Sequence, residues 1–249
     1  MSKNSKVQLF CLPFAGGSRS TFDKFKTYLR EDIEIIQIEY PGHDSRIKEK
    51  LCENMEELIE DAYRQIANKR DVKLPYALLG YSMGSIVVYE ILCKIWNSST
   101  NVMGVPFYVF FCAIEALSNF KPRIYFDDMS HEEIIYILKN MGGINESILK
   151  DNRFLEAFLR PVKADYRILA DYEFDKAGNK LPDVDCSILF SSNDIPYAKV
   201  EGWEELTLGS VEFFELGNNH FFINDCPENM AELVNKKMLN YRFEVKDEL

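Results

Sequence analysis

A serine lies two residues from glycine on either side in Gly80-Tyr81-Ser82-Met83-Gly84, after the apolar run Tyr76-Ala77-Leu78-Leu79 and before the helix-periodic run Ile86 to Leu92. A serine in that setting sits on a sharp strand-to-helix turn, a nucleophile elbow that exposes its hydroxyl. The glycines are required because a larger side chain at either position would collide with the neighbouring strand or helix. A serine hydroxyl is a weak nucleophile at neutral pH, so it needs a base within hydrogen-bond reach and a carboxylate to orient that base.

The chain has three histidines from which to draw the base. His131 stands in Ser130-His131-Glu132-Glu133, which has capping-box spacing and reads as a solvated helix start. His43 follows Pro41-Gly42, upstream of the serine, where it could edge a site. His220, in Leu216-Gly217-Asn218-Asn219-His220-Phe221-Phe222, follows the last strand and would face the elbow, so it is the chosen base. Asp194, in Phe190-Ser191-Ser192-Asn193-Asp194, follows the penultimate strand, whereas Asp183 and Asp185 precede it and belong to the opposite edge. Ser82, Asp194 and His220 then occur in the chain order expected on this sheet topology. An oxyanion formed on attack needs donors, which the Met83 N–H at the helix start and the Ala15 N–H in Phe14-Ala15-Gly16-Gly17-Ser18 would supply.

Positioning these residues requires parallel strands. Val7 to Leu12 and Ile33 to Ile38 read as strands separated by a helix-like stretch from Thr21 to Leu29, a βαβ pattern. Asn54 to Lys69 reads as an amphipathic helix, and Phe107 to Cys112 as a strand buried on both faces. From about Asn119 to Phe174 no strand is evident, only helix-like segments, which suggests an inserted helical lid over about 119–174. Met129, Ile134, Ile135, Ile137, Leu138 and Met141 recur there at helical spacing, as packing residues or as an acyl groove. The rhythm resumes with strands at Ser187 to Phe190 and Val211 to Leu216 and a closing helix from about Glu228 to Leu239.

At 249 residues and 47% hydrophobic content, the chain can bury one large core as a single domain, 1–249. A formal charge of −11 argues against nucleic acid as a partner. Six scattered cysteines without a Cys-x-x-Cys pair read as reduced thiols of a cytoplasmic protein. The N-terminal apolar run is too short for a secretory signal, and no run reaches the roughly 18 to 20 residues of a membrane span. The terminal Lys246-Asp247-Glu248-Leu249 then spells a retrieval signal by coincidence. No metal or bound cofactor is expected, and nothing demands more than a monomer.

Taken together, Phe14-Ala15-Gly16-Gly17-Ser18, Tyr40-Pro41-Gly42-His43-Asp44-Ser45-Arg46, the elbow, Leu159-Arg160-Pro161 with Ala164-Asp165, and Gly217-Asn218-Asn219-His220-Phe221-Phe222 resemble the type II thioesterases of nonribosomal peptide and polyketide biosynthesis. The resemblance covers most of the chain. It implies an α/β-hydrolase fold, a mostly parallel sheet flanked by helices with a helical lid, a triad at Ser82, Asp194 and His220, and oxyanion donors at Ala15 and Met83. It further implies hydrolysis of acyl thioesters from the phosphopantetheine arm of carrier proteins, clearing stalled or misloaded synthases. His43 stands where the family commonly has Arg, and Asn218-Asn219 where a glycine is common, so the pocket rim is expected to differ. Arg160 could pair with an acidic neighbour or touch the arm, and Lys121 and Arg123 could offer an acidic carrier local positive charge. A carboxylesterase or lipase acting on oxygen esters would use the same triad, and a non-catalytic hydrolase-like binding protein would keep the pocket alone.

Overall fold

The computed structural model describes residues 6–98, 103–121, 124–143, 152–175 and 182–247. Among these residues six strands, β1 (Val7–Leu12), β2 (Ile33–Gln37), β3 (Tyr76–Tyr81), β4 (Tyr108–Cys112), β5 (Cys186–Phe190) and β6 (Val211–Glu215), form one sheet in the order β2-β1-β3-β4-β5-β6. Every pairing is parallel. The helices are α1 (Asp23–Lys26), α2 (Met55–Lys69), α3 (Met83–Asn97), α4 (His131–Met141), α5 (Asn152–Ala170), α6 (Tyr197–Val200), α7 (Phe222–Asp225) and α8 (Pro227–Asp247).

Side-chain alternation along the strands divides the core in two. Phe10, Leu12, Leu78, Val109, Phe111 and Ile188 join one apolar cluster with the residues of α2 and α3. Leu9, Cys11, Leu79, Phe110, Cys112 and Leu189 join the other with Phe25, Phe222, Ala231 and Val234. Both faces of the sheet are therefore covered, as an all-parallel sheet requires. Helix α3 is buried over most of its circumference, in keeping with Ile, Val and Leu on every side.

Between β4 and β5, the described residues hold α4 and α5 and no strand. Ser130 caps α4 through the reciprocal bonds of a capping box with Glu133, and Gly142 ends it in the left-handed region at φ 82°. Phe126, Ile134, Leu138, Leu159 and Val162 form a separate small core under these helices. Leu159-Arg160-Pro161 runs through the middle of α5 and not at a junction with the sheet. The expected helix over Thr21 to Leu29 is also corrected: the chain makes a 3-10 turn at Arg19–Phe22 and the single turn α1, because Ser18 caps the stretch and turns follow from Thr27 to Leu29. Arg123, Glu248 and Leu249 lie outside the described residues.

The tightest packing is at the elbow. A Cβ on Gly80 would lie 2.4 Å from the Gly84 carbonyl oxygen, and one on Gly84 would lie 2.2 Å from the Leu12 oxygen of β1. These obstacles are backbone, so α3 could not start so close to β1 with any other residue at 84. Gly84→Ala should therefore lower the unfolding free energy by about 1–3 kcal/mol, measured by urea denaturation. An unchanged midpoint would show that the contact is slack.

Candidate active site

The sheet order places β2 on one side of β1 and β3 to β6 on the other, so the switch point lies between β1 and β3. Ligands of open parallel sheets bind beyond the carboxyl ends of the strands at such a point. The turn after β1 holds Ala15, and the turn after β3 holds Ser82. Ser82 has φ 52° and ψ −115°, a sparsely populated conformation that lifts its side chain off the end of β3. Its N–H donates to the Cys112 carbonyl at 2.7 Å. The Ser85 hydroxyl lies 2.8 Å from the Gly80 oxygen and accepts the Cys112 N–H at 3.1 Å, tying β3, α3 and β4 together.

The other two residues must cross the sheet edge to reach Ser82. β6 lies three strand spacings from β3, about 14 Å, and the five residues from Glu215 to His220 span about 16 Å when extended. The loop just reaches. Gly217 turns it with φ 61°, and the Asn219 side-chain oxygen accepts the Phe221 N–H at 2.7 Å. The buried Tyr81 hydroxyl donates to the His220 carbonyl at 2.7 Å and accepts the Ile223 N–H at 3.3 Å. His220 Nε2 lies 3.1 Å from Ser82 Oγ, and Nδ1 lies 2.7 Å from Asp194 Oδ2. Asp194 is held by a turn in which its own N–H and that of Ile195 donate to the Ser191 carbonyl. The three residues selected from sequence are thus in one hydrogen-bonded line. With Nδ1–H donating to Asp194, Nε2 is free to accept the Ser82 hydroxyl proton.

Around the line, the Phe14–Gly17 turn closes through Gly17 N–H to the Phe14 carbonyl at 2.8 Å, with Gly16 at φ 73°. Among the described residues the Ala15 N–H has no hydrogen-bond partner, and the Met83 N–H heads α3 where no intrahelical carbonyl can reach it. Two cavities meet at Ser82. One, of about 280 Å³, is open to solvent and includes Lys121, Met141, Tyr166, Asp194, Lys199 and His220 in its wall. The other, of about 30 Å³, is lined mainly by apolar groups, including Phe14, Leu138, Phe158, Val162 and Phe221. Burial, with the charges of Asp165 and Asp194, pushes the Tyr166 hydroxyl up to about 12, so it is neutral at both cavities.

The remaining candidates lie elsewhere. His131 is at the outer start of α4, 3.3 Å from Glu156. Arg160 is exposed and donates to the Ile47 carbonyl at 3.3 Å. His43 is not on the rim: it is 2% exposed, with Nδ1 3.0 Å from the Pro41 oxygen and Nε2 2.9 Å from Asp165 Oδ2. The ring is drawn inside because Asp165, on the inner face of α5, offers it a buried acceptor. Among the packing residues of α4, Ile134 and Leu138 are buried in the insert's own core, and Met141 reaches the larger cavity. No group of three His, Cys, Asp or Glu side chains among the described residues could hold a metal ion. All six cysteines are free, and Cys11, Cys93, Cys112 and Cys186 are buried. No helix of the described residues is long and apolar enough to cross a membrane.

Residues 7–238 match the family model of the thioesterase domain. The chain belongs to the thioesterase family. It is 26% identical over 238 residues to the gramicidin S biosynthesis protein GrsT of Aneurinibacillus migulanus, covering 94% of this chain and 90% of that one. It is 24% identical over 220 residues to the human medium-chain S-acyl fatty acid synthase thioesterase, covering 88% and 81%. Among solved structures it is similar to ClbQ from the colibactin nonribosomal peptide and polyketide pathway, with a TM-score of 0.84, 21% identity, and coverage of 96% of this chain and 99% of that one. The fold common to these thioesterases is the α/β-hydrolase fold, and the chain is a serine hydrolase of that class.

Nothing in the sequence marks Tyr81, which reads only as the residue before the serine. Among the described residues its hydroxyl is the one side-chain group bonded to the His220 backbone, so Tyr81→Phe should leave the Ile223 N–H unpaired and cost about 1–3 kcal/mol of stability. Turnover of a thioester should fall about ten- to a hundredfold as His220 loses register. Urea unfolding and steady-state kinetics check both, and wild-type values for both would remove Tyr81 from the positioning of the histidine.

Proposed function

We propose that the protein is a type II thioesterase that hydrolyses acyl thioesters carried on the phosphopantetheine arm of carrier proteins, through Ser82, His220 and Asp194. The observation that carries this reading is the hydrogen-bonded line from Asp194 to His220 to Ser82 in a thioesterase-family chain. Likeness to relatives from peptide and polyketide pathways, such as GrsT, supports the carrier protein as the partner and removal of unwanted acyl groups as the purpose.

In the acylation half, Ser82 Oγ attacks the thioester carbonyl as its proton passes to His220 Nε2. The oxyanion is met by the Ala15 and Met83 amides, whose N–H groups have no other partner among the described residues. Collapse expels the arm's sulfur, which takes the proton from His220 and leaves as the thiol, with the acyl group on Ser82. In the second half, His220 takes a proton from water, the resulting oxygen attacks the acyl-serine, and the proton returns to Ser82 as the acid departs. Asp194 stabilises the imidazolium in both halves. The chemistry is complete with these side chains and calls for no cofactor beyond the partner's arm. The larger cavity, with Lys121 and Lys199 in its wall, suits the polar arm, and the helical insert over it acts as a lid. The protein works as a monomer in the cytoplasm in this reading.

Incubation with an acylated carrier followed by intact-mass analysis tests it. The wild type should gain a transient mass equal to the acyl group, and Ser82→Ala should gain none and lose at least about a thousandfold of the rate. Undiminished hydrolysis by Ser82→Ala would remove the serine mechanism, and faster turnover of simple oxygen esters than of the carrier thioester would make the protein a carboxylesterase.

A further inference from the structure

The helical insert touches the site by more than its apolar underside. Phe158, Val162, Asp165, Tyr166 and Leu169 are spaced along one face of α5, and four of them line the small cavity beside Ser82. The fifth, Asp165, is a carboxylate on that inward face with 2% exposure. Its Oδ2 accepts the Gly16 N–H at 2.7 Å and meets His43 Nε2 at 2.9 Å. One turn away, Val162 packs so closely on Gly16 that a Cβ there would lie 2.3 Å from its methyl carbon.

We propose that Asp165 and His43 are positioning residues for the oxyanion site: the carboxylate and the imidazolium together clamp α5 to the turn carrying the Ala15 amide, and the clamp loosens when His43 loses its proton. The inference rests on the reading of Ala15 as an oxyanion donor. The Gly16 N–H held by Asp165 fixes the Ala15–Gly16 peptide plane, and the Gly17 N–H bond to the Phe14 carbonyl fixes the Phe14–Ala15 plane that contains the Ala15 N–H, so the two bonds together set its direction.

The charge state follows from geometry. Both ring nitrogens of His43 face oxygens that can only accept, the Pro41 carbonyl and the Asp165 carboxylate, so both bonds require a proton on each nitrogen. A neutral ring would set a lone pair against one of these oxygens. Burial opposes the charged ring, but the hydrogen bond and charge of Asp165, the Pro41 carbonyl and the charge of Glu39 outweigh it and raise its pKa above the ordinary histidine value. The groups around the pair are themselves engaged or neutral. Glu39 accepts both the N–H and the hydroxyl of Ser45, Arg46 is paired with Glu49 and Asp61, and Tyr40, whose ring is 5.8 Å from His43, is kept neutral by burial. Burial likewise pushes the Cys52 thiol up to about 12.

A pKa raised in the folded protein means the clamp is closed at low pH and lost as pH rises through the raised value. Loss of the clamp then appears in the rate as an alkaline limb set by His43. The test combines NMR with kinetics on the full chain. In ¹H–¹⁵N spectra of the wild type, the Gly16 amide resonance should shift with the same midpoint as the His43 ring, above the ordinary histidine range. With a soluble acyl thioester, kcat should fall along that alkaline limb while KM stays within about twofold. His43→Arg, charged at every working pH, should abolish the limb, and Asp165→Asn, which keeps an acceptor without charge, should move it to lower pH and lower the plateau several-fold. An alkaline limb unchanged in both variants, or a His43 ring that titrates without moving the Gly16 amide, would overturn the proposal. The NMR arm needs no turnover, so it still decides the clamp if no thioester is hydrolysed.

Discussion

Everything at the site depends on the backbone of Ser82 being held at φ 52° and ψ −115°. Such a conformation costs of the order of 1–3 kcal/mol for a residue with a side chain and persists only where the surroundings over-determine it. Here they do. Gly84 lets α3 start against the backbone of β1, Gly80 lets the same helix close on β3, and the Ser85 hydroxyl and the Cys112 carbonyl hold the turn from the side of β4. Three neighbouring strands thus fix one hydroxyl, and the strain is offset by the packing of a helix buried along most of its length.

The remaining parts reach the serine from greater distances, and each is secured by a bond outside the reacting line. The β6 loop, turned at Gly217, delivers His220, and Tyr81, next to Ser82 in the chain, grips the backbone of that histidine. One residue of β3 therefore sets the distance between nucleophile and base. The β1 turn is fixed from above by α5 through Val162 and Asp165. The insert is consequently part of the site's framework at this point as well as its cover. Its own small core lets α4 and α5 act as a unit over the cavities.

Much of this could be read from residues alone, because local rules carry it. Alternating and continuous apolar runs marked all six strands within a residue or two, the Ser130 to Glu133 spacing marked the start of α4, and a glycine-flanked serine after a strand marked the nucleophile. His220 and Asp194 followed from their position after the last two strands, since loops at that edge face the elbow. What could not be read was contact across the chain. Asp165 and Gly16 are 149 residues apart, and no periodicity says that a carboxylate on a helix of the insert meets a glycine amide after β1. By its place in the loop after the second strand His43 could edge the site, and the buried acceptor that draws it inward belongs to another element. The one available signal was the Ala164-Asp165 pair itself, an acidic residue on the apolar face of an amphipathic helix.

In the proposed mechanism Ser82 is made nucleophilic by His220, which the rate of covalent labelling by a fluorophosphonate, located by peptide mapping, reads without any substrate. A single label on Ser82, forming at a rate that drops steeply in His220→Gln with the fold retained by circular dichroism, is the expected result. Labelling at another residue, or a Ser82 labelling rate indifferent to His220, would contradict it.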